Sequence, residues 1–210
     1  MTDYTKLYGP LNLRNGSGGD YANGLCMMEA VAWMASEGAT DSPECACPVL
    51  AAFAIEVNDG LSDENRQLLK PLILPMTGTR SEVHEKARAE YLILAVVNRI
   101  LPQAFEASWP DHARSLRDAT TLAEVKTAAR AAYAATSAAR AAHAATHAAH
   151  TASAASAASA DVSADHQKVF IQCIEILREA IMLGPNASDL WSHYEPRARA
   201  LAEHVETLNA

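Results

Sequence analysis

An alanine-rich segment, residues 128–160, constrains the fold of this chain more than any other. It reads AARAAYAATSAARAAHAATHAAHTASAASAASA and contains neither proline nor glycine. Alanine has the highest intrinsic helix propensity, so we expect one long helix. Thr121 and Glu124 have the spacing of a capping box that begins it, which gives a rod of ~40 residues and roughly 60 Å. Such thin side chains bury little apolar area, so we expect this helix to need close neighbours and to support self-association.

The polar residues of the alanine-rich segment do not follow one face of a helix. Most are three positions apart, as at Arg130, Tyr133 and Thr136, whereas an α-helix completes a turn in about 3.6 residues. The polar stripe therefore winds around the rod, without the fixed seam of a leucine zipper. Two interpretations stay open: a low-complexity spacer, and a helix whose small side chains permit close helix packing.

The rest of the chain has helical periodicity and no alternation typical of strands. Leu25, Met28 and Ala32 share one face of a predicted helix over 25–36. Thr79 and Glu82 have capping-box spacing at the start of another helix. Further helices are predicted over 48–58, 62–70 and 164–183, and a last one begins at about Ser188 or Pro196 and ends at Leu208. The expected helix ends are Gly38, Pro71, Pro102 and the sequence Asp161-Val162-Ser163.

These patterns predict an all-α protein, a multi-helix bundle with one long alanine-rich helix. Residues 1–23 are rich in glycine, asparagine and aspartate, and we expect them to form a loose N-terminal arm. A helical domain is predicted over 24–120. The alanine-rich helix and the C-terminal helices, over 121–210, are expected to pack on the same body.

Charge and hydropathy exclude some classes of function. The formal net charge of −8 argues against general nucleic-acid binding, which needs a cationic face. The first residues lack the basic and apolar parts of a secretion signal, and no run of ~18 apolar residues predicts a membrane span. We therefore expect a cytoplasmic protein with reduced cysteines, no membrane partner and no cofactor.

Cys26 is the candidate nucleophile of an enzyme hypothesis. It lies at the start of the predicted helix over 25–36, where the helix dipole lowers a thiol pKa. Cysteine hydrolases and transferases pair such a thiol with a histidine. Those enzymes generally take their histidine from a β-sheet, and no sheet is predicted here. The alternative is a small buried apolar cysteine.

Two groups of residues have the composition of a metal site. His143 and His147 are four residues apart, a spacing at which two imidazoles on one helix face chelate a divalent metal, but no acidic residue lies within the segment. Cys26 and Cys45 are the other pair, and with a histidine they suit structural zinc. Cys45-Ala46-Cys47 is itself too closely spaced for a zinc knuckle. Neither group is specific enough to predict a bound metal.

Several short sequence motifs lie along residues 24–80. They are Cys26-Met27-Met28-Glu29-Ala30, Asp41-Ser42-Pro43-Glu44-Cys45, Pro48-Val49-Leu50, Asn58-Asp59, Arg66-Gln67 and Lys70-Pro71. This pattern resembles a family of actinobacterial and phage proteins over about the first half of the chain. The resemblance implies no established activity, and Cys47 falls outside the pattern. It does imply which positions to test first for binding: Cys26, Glu29, Asp41, Cys45, Asn58 and Asp59.

Together these features predict a non-enzymatic, cytoplasmic, helical accessory protein of phage origin. It is expected to bind a protein or a small ligand and to form a homo-oligomer through the alanine-rich helix. Two alternatives stay open: a cysteine-dependent hydrolase or transferase that uses Cys26 with a histidine, and a zinc-stabilised helical domain.

Overall fold

The computed structural model describes residues 11–19, 23–38, 40–106, 110–127 and 158–186. Within these ranges the protein is all-α, with an isolated parallel bridge between Leu13 and Leu25 but no strand. The alanine-rich segment lies outside the described residues except for its last three positions. The α-helices are α1 (Met27–Ala35), α2 (Pro48–Gly60), α3 (Asp63–Arg66), α4 (Ile73–Met76), α5 (Glu82–Ala95), α6 (Leu101–Phe105), α7 (Pro110–Arg117), α8 (122–127) and α9 (Ala158–Ile181).

The predicted helices over 25–36 and 48–58 are confirmed with small changes at their ends. Helix α1 ends at Ala35 because Ser36, and not the expected Gly38, begins the exit from the helix in the left-handed conformation, with φ 61°. Pro48 begins α2, where the missing proline N–H has no intrahelical partner to lose. Helix α1 packs against both α2 and α4.

The two prolines expected to end helices do not do so. A 3₁₀ helix over Gln67–Leu72 includes Pro71 and joins α3 to α4, so the predicted connector is helical. Past α5 the chain makes a π-helical turn, Val96–Ile100, in which the Leu101 N–H donates to the Val96 carbonyl five residues earlier. Pro102 then lies in the first turn of α6. Proline is tolerated in a first turn, so the helical path continues.

Two further expectations about helix ends are wrong. Thr79 does not cap α5, since its hydroxyl donates to the Met76 carbonyl at 2.8 Å and accepts the Cys47 N–H at 2.9 Å. The sequence Asp161-Val162-Ser163 does not break a helix, because α9 runs through it. The capping box of Thr121 and Glu124 is confirmed: Glu124 N–H donates to the Thr121 hydroxyl and Thr121 N–H donates to the Glu124 carboxylate.

The chain forms two compact units, whose boundaries lie within α5 and α9. The first comprises Met1–Ala89 and Cys173–Ala210. Its core is built largely from leucine, isoleucine and methionine side chains. Leu50, Ile73 and Leu177 are examples. The second unit is Glu90–Gln172, in which α6 packs against α7. No helix among the described residues has both the length and the apolar character needed to cross a membrane.

Candidate functional site

The described part of the N-terminal arm is packed on the first unit and is not loose. Leu11 and Leu13 are buried, and Leu13 forms the bridge with Leu25. The Gln67 side chain acts as a clamp, because its Oε1 accepts the Leu13 N–H at 3.0 Å while its Nε2 donates to the Leu13 carbonyl at 2.8 Å. An extended segment otherwise lacks partners for these backbone groups, so a glutamine distant in sequence fixes its position.

Asn58 and Asp59, at the end of α2, hold the next residues of the arm. The buried Asn58 side chain accepts the Met27 N–H at 3.2 Å and donates to the Arg14 carbonyl and to Asp59 Oδ1, both at 2.9 Å. Asp59 Oδ1 also accepts the Gly16 N–H at 3.0 Å. The two residues therefore connect α2, the start of α1 and the arm.

Glu29 holds the glycine loop, residues 15–19. Its carboxylate is almost fully buried and accepts three backbone N–H groups: Gly18 at 2.6 Å, Gly19 at 3.2 Å and Cys26 at 2.9 Å. Hydrogen bonds to a charged acceptor are stronger than neutral ones. Glu29 is thus a structural residue that fastens the glycine loop to the beginning of α1.

Cys26 is the N-cap of α1, and its thiol takes the place of the usual hydroxyl. The Glu29 N–H donates to Cys26 Sγ at 3.3 Å, and the Cys26 N–H donates to the Glu29 carboxylate. This is a complete capping box with cysteine at the cap. Burial raises the pKa of the Cys26 thiol to about 11, and the Glu29 negative charge adds to that effect. Burial thus outweighs the lowering effect of the N–H groups at the helix start, and the pKa is raised where the sequence position suggests a lowered one.

A small pocket opens where the glycine loop, the start of α1 and the end of α2 meet. We call it the acidic pocket, since Asp41 and Asp59 are both among the residues that line it. Its volume is about 160 Å³. The other lining residues are Gly16, Ser17, Cys26, Met27, Met28, Ile55 and Asn58. Of the six positions that the resemblance implies, the fold brings four to this pocket: Cys26, Asp41, Asn58 and Asp59.

The other two implied positions do not line the acidic pocket. Glu29 lies behind it and supports the loop. Cys45 lies in the segment before α2, where its N–H donates to Glu37 at 2.9 Å. Burial, with the Glu37 charge, raises the pKa of the Cys45 thiol to about 12. Cys45 is therefore a protonated thiol next to a carboxylate.

A metal site does not assemble in the described part of the chain, and none of the described residues around the acidic pocket pairs Cys26 with a histidine. No three histidine, cysteine, aspartate or glutamate side chains there are placed to hold a metal ion, so the Cys26 and Cys45 zinc site gains no support. None of the residues that line the acidic pocket is a histidine. His143 and His147 lie outside the described residues.

Sequence analysis missed several residues that build this site. Gly16, Ser17 and Ile55 line the acidic pocket, and nothing in their local sequence marks them as lining residues. Gln67 and Arg66 belong to the pattern that carries the family resemblance, and their place in that pattern is the sequence feature from which their role could have been predicted. The Arg66 guanidinium is buried and donates to the Asn58 carbonyl at 2.8 Å, so it stabilises the end of α2.

The chain was compared with protein-family models, with curated proteins and with solved structures, and no match was found in any of the three. The resemblance to actinobacterial and phage proteins stays a prediction.

Cys26 is expected to react slowly with iodoacetamide in the native protein near pH 8, and rapidly after unfolding in urea. The folded thiol keeps its proton up to about pH 11, whereas an unfolded thiol ionises near pH 9. Only the thiolate is nucleophilic. Peptide mapping by mass spectrometry measures the labelling rate at this position.

The same shift has a consequence for stability at alkaline pH. The pKa of Cys26 is higher in the folded protein than in the unfolded one, so its protonated thiol contributes to the free energy of unfolding. This stabilisation is complete below pH 9 and is lost as the pH rises towards 11. The free energy of unfolding, measured in urea, is expected to fall less between pH 8 and pH 10 in Cys26→Ser than in the wild type. Equal labelling rates in the native and unfolded protein contradict the raised pKa, and only faster labelling in the native protein favours the enzyme alternative.

Proposed function

We propose that this chain is a non-enzymatic helical accessory protein that binds a small ammonium-bearing group in the acidic pocket. It acts in the cytoplasm, has the phage origin that the resemblance implies, and associates with copies of itself through the alanine-rich segment. The observation that carries the binding proposal is the convergence of Asp41 and Asp59, with Asn58 and Cys26, on one concave site.

The charges at the acidic pocket favour a cation. Asp41 is half-buried and Asp59 is exposed, and both line the pocket. Asp59 Oδ1 already accepts two hydrogen bonds, from Gly16 and Asn58, and so has a fixed orientation. An opposite charge within a few ångströms of a carboxylate is favourable. Among the described residues that line the pocket there is no lysine or arginine, so none of them competes with an ammonium group.

The properties of the Cys26 thiol favour a binding function over a catalytic one. A nucleophile for hydrolysis or group transfer works as a thiolate, with a lowered pKa and an adjacent base. At Cys26 the pKa is raised, mainly by burial, and the neighbouring Glu29 carboxylate further disfavours the thiolate. The thiol serves as a helix cap and as part of the pocket wall.

n-Butylamine is expected to bind the wild-type protein with a Kd on the order of millimolar, the range of a ligand with few atoms. The expected readout is a shift of the Gly16 and Met27 amide signals in NMR titration, since Asp59 and Asn58 accept these two N–H groups. Butanol, which has a similar size but no charge, is expected to cause no saturable shift.

Asp41→Asn is expected to weaken butylamine binding about fivefold, the upper range for a solvent-accessible ion pair. Asp118→Asn, which removes the same charge from an exposed position in the second unit, is the matched control and is expected to leave binding unchanged. If butanol and butylamine bind alike, or if both variants weaken binding equally, the cation proposal is wrong.

Self-association is expected to give a solution mass that is a multiple of 22.4 kDa. Size-exclusion chromatography with light scattering measures it. Ala142→Glu, in the alanine-rich segment, is expected to shift the equilibrium towards the monomer because it adds charge and bulk where close approach is proposed. The control is Ala123→Glu, at an exposed position before the segment. A monomeric wild type at high concentration rejects this part of the proposal.

A further inference from the structure

A second pocket adjoins the acidic pocket. We call it the proline pocket, since Pro43 and Pro48 line it; its volume is about 200 Å³. Ile55 of α2 lines both pockets. The chain also joins them, because Asp41 lines the acidic pocket and the next residue, Ser42, lines the proline pocket. The two pockets are therefore neighbouring parts of one surface of the first unit.

The proline pocket differs in chemistry from the acidic pocket. Its wall is mainly apolar, with Ala46, Ala51 and the two prolines. Among the described residues that line it, the charged one is Arg80, which is exposed and whose side chain has no hydrogen bond or ion pair to the described part of the chain. The Arg80 N–H donates to the Cys45 carbonyl at 3.0 Å, so the backbone of this exposed residue is anchored beside the pocket. Such a surface suits an aliphatic group next to a carboxylate.

The combined volume of the two pockets suits one small ligand better than either pocket does alone. Small-molecule sites generally have volumes of about 300–1,000 Å³. Each of these pockets is below that range at about 160 and 200 Å³, and together they reach its lower end.

We propose that the acidic and proline pockets form a single site for an aliphatic zwitterion, a compound with an ammonium group at one end and a carboxylate at the other. The ammonium pairs with Asp41 and Asp59, the aliphatic chain crosses Ile55, and the carboxylate pairs with Arg80. This inference rests on the proposed binding of an ammonium group in the acidic pocket and adds the remaining parts of the ligand.

The test compares ω-amino acids with the amines that lack their carboxylate. 4-Aminobutyrate and 6-aminohexanoate are titrated against the wild-type protein beside n-butylamine and n-hexylamine, by NMR. At least one of the amino acids is expected to bind about fivefold more tightly than the amine of the same chain length, the gain that an exposed ion pair supplies.

Arg80→Gln is expected to abolish the preference for the amino acid and to leave the binding of both amines unchanged. Arg114→Gln removes the same charge from an exposed residue of the second unit and is expected to preserve the preference. If the amines bind but the amino acids bind no more tightly, or if Arg80→Gln retains the preference, the two-pocket site is wrong and the acidic pocket stands. If neither the amines nor the amino acids bind, both proposals fail.

Discussion

Glu29→Ala is expected to lower the free energy of unfolding by about 3 kcal/mol, a large part of the stability of a typical domain. The wild-type carboxylate accepts the N–H groups of Gly18, Gly19 and Cys26. Without it, the buried Cys26 N–H loses its acceptor, and the glycine loop loses its attachment to α1. Glu29→Gln is expected to cost about 2 kcal/mol, because one side of an amide accepts while the other turns a donor towards a donor.

Glu37 provides the matched control for Glu29. Its carboxylate also accepts two backbone N–H groups, from Glu44 at 2.5 Å and Cys45 at 2.9 Å, but it is exposed to solvent. Water replaces a lost acceptor at such a position, so Glu37→Gln is expected to cost less than about 1 kcal/mol. Urea unfolding followed by circular dichroism measures all three variants. A Glu29→Gln protein as stable as Glu37→Gln would show that the buried carboxylate is not what holds the loop.

Amide hydrogen exchange separates a local effect of Glu29 from a global one. In Glu29→Gln the N–H groups of Gly18 and Gly19 are expected to exchange faster than in the wild type, by more than the global loss of stability accounts for. The Leu13 N–H, held by Gln67, is expected to follow the global change only. Equal acceleration of the three amides contradicts a specific role of Glu29 at the loop.

Helix positions were predictable from local sequence where a cap or a proline marks the first turn. Pro48 at the start of α2 is one example, and the capping box of Thr121 and Glu124 is another. Prediction failed where residues distant in sequence determine the hydrogen bonds of a side chain. Thr79 has the spacing of a helix cap, yet its hydroxyl accepts the N–H of Cys47, a residue thirty-two positions earlier. No local pattern contains that partner.

Pro102 illustrates a second kind of failure. A proline inside a helical pattern normally ends the helix, because it removes one backbone donor. Here the π turn shifts the donor–acceptor pairing just before it, and the Leu101 N–H reaches back to Val96. The sequence of the turn, VVNRI, contains no feature from which this shift was predictable.

The candidate site was predictable only as a set of residues. The resemblance implied Cys26, Asp41, Asn58 and Asp59, and the fold places all four around one pocket. Their roles depend on burial and partners, which the sequence does not contain. At Cys26 the position at a helix start suggested a lowered pKa, but desolvation by the surrounding core has the opposite sign and is the larger effect.

Gly19→Ala is expected to destabilise the protein by about 2–3 kcal/mol, while Gly18→Ala costs about 1 kcal/mol. A methyl group at Gly19 overlaps the Gly24 carbonyl oxygen, a backbone atom just before α1. At Gly18 an added methyl group meets no atom, and only its φ of 81° disfavours alanine. A comparison of the two variants thus separates the cost of a steric clash from the cost of backbone strain.

The same pair of variants tests whether the glycine loop shapes the acidic pocket. Relief of the overlap at Gly19 requires the loop to move away from Gly24, and the Gly16 and Ser17 wall of the pocket moves with it. Gly19→Ala is therefore expected to weaken butylamine binding at least as much as Asp41→Asn does, and Gly18→Ala is expected to retain near wild-type binding. If Gly19→Ala matches Gly18→Ala in both stability and binding, the close approach of the loop to Gly24 is not a feature of the protein in solution.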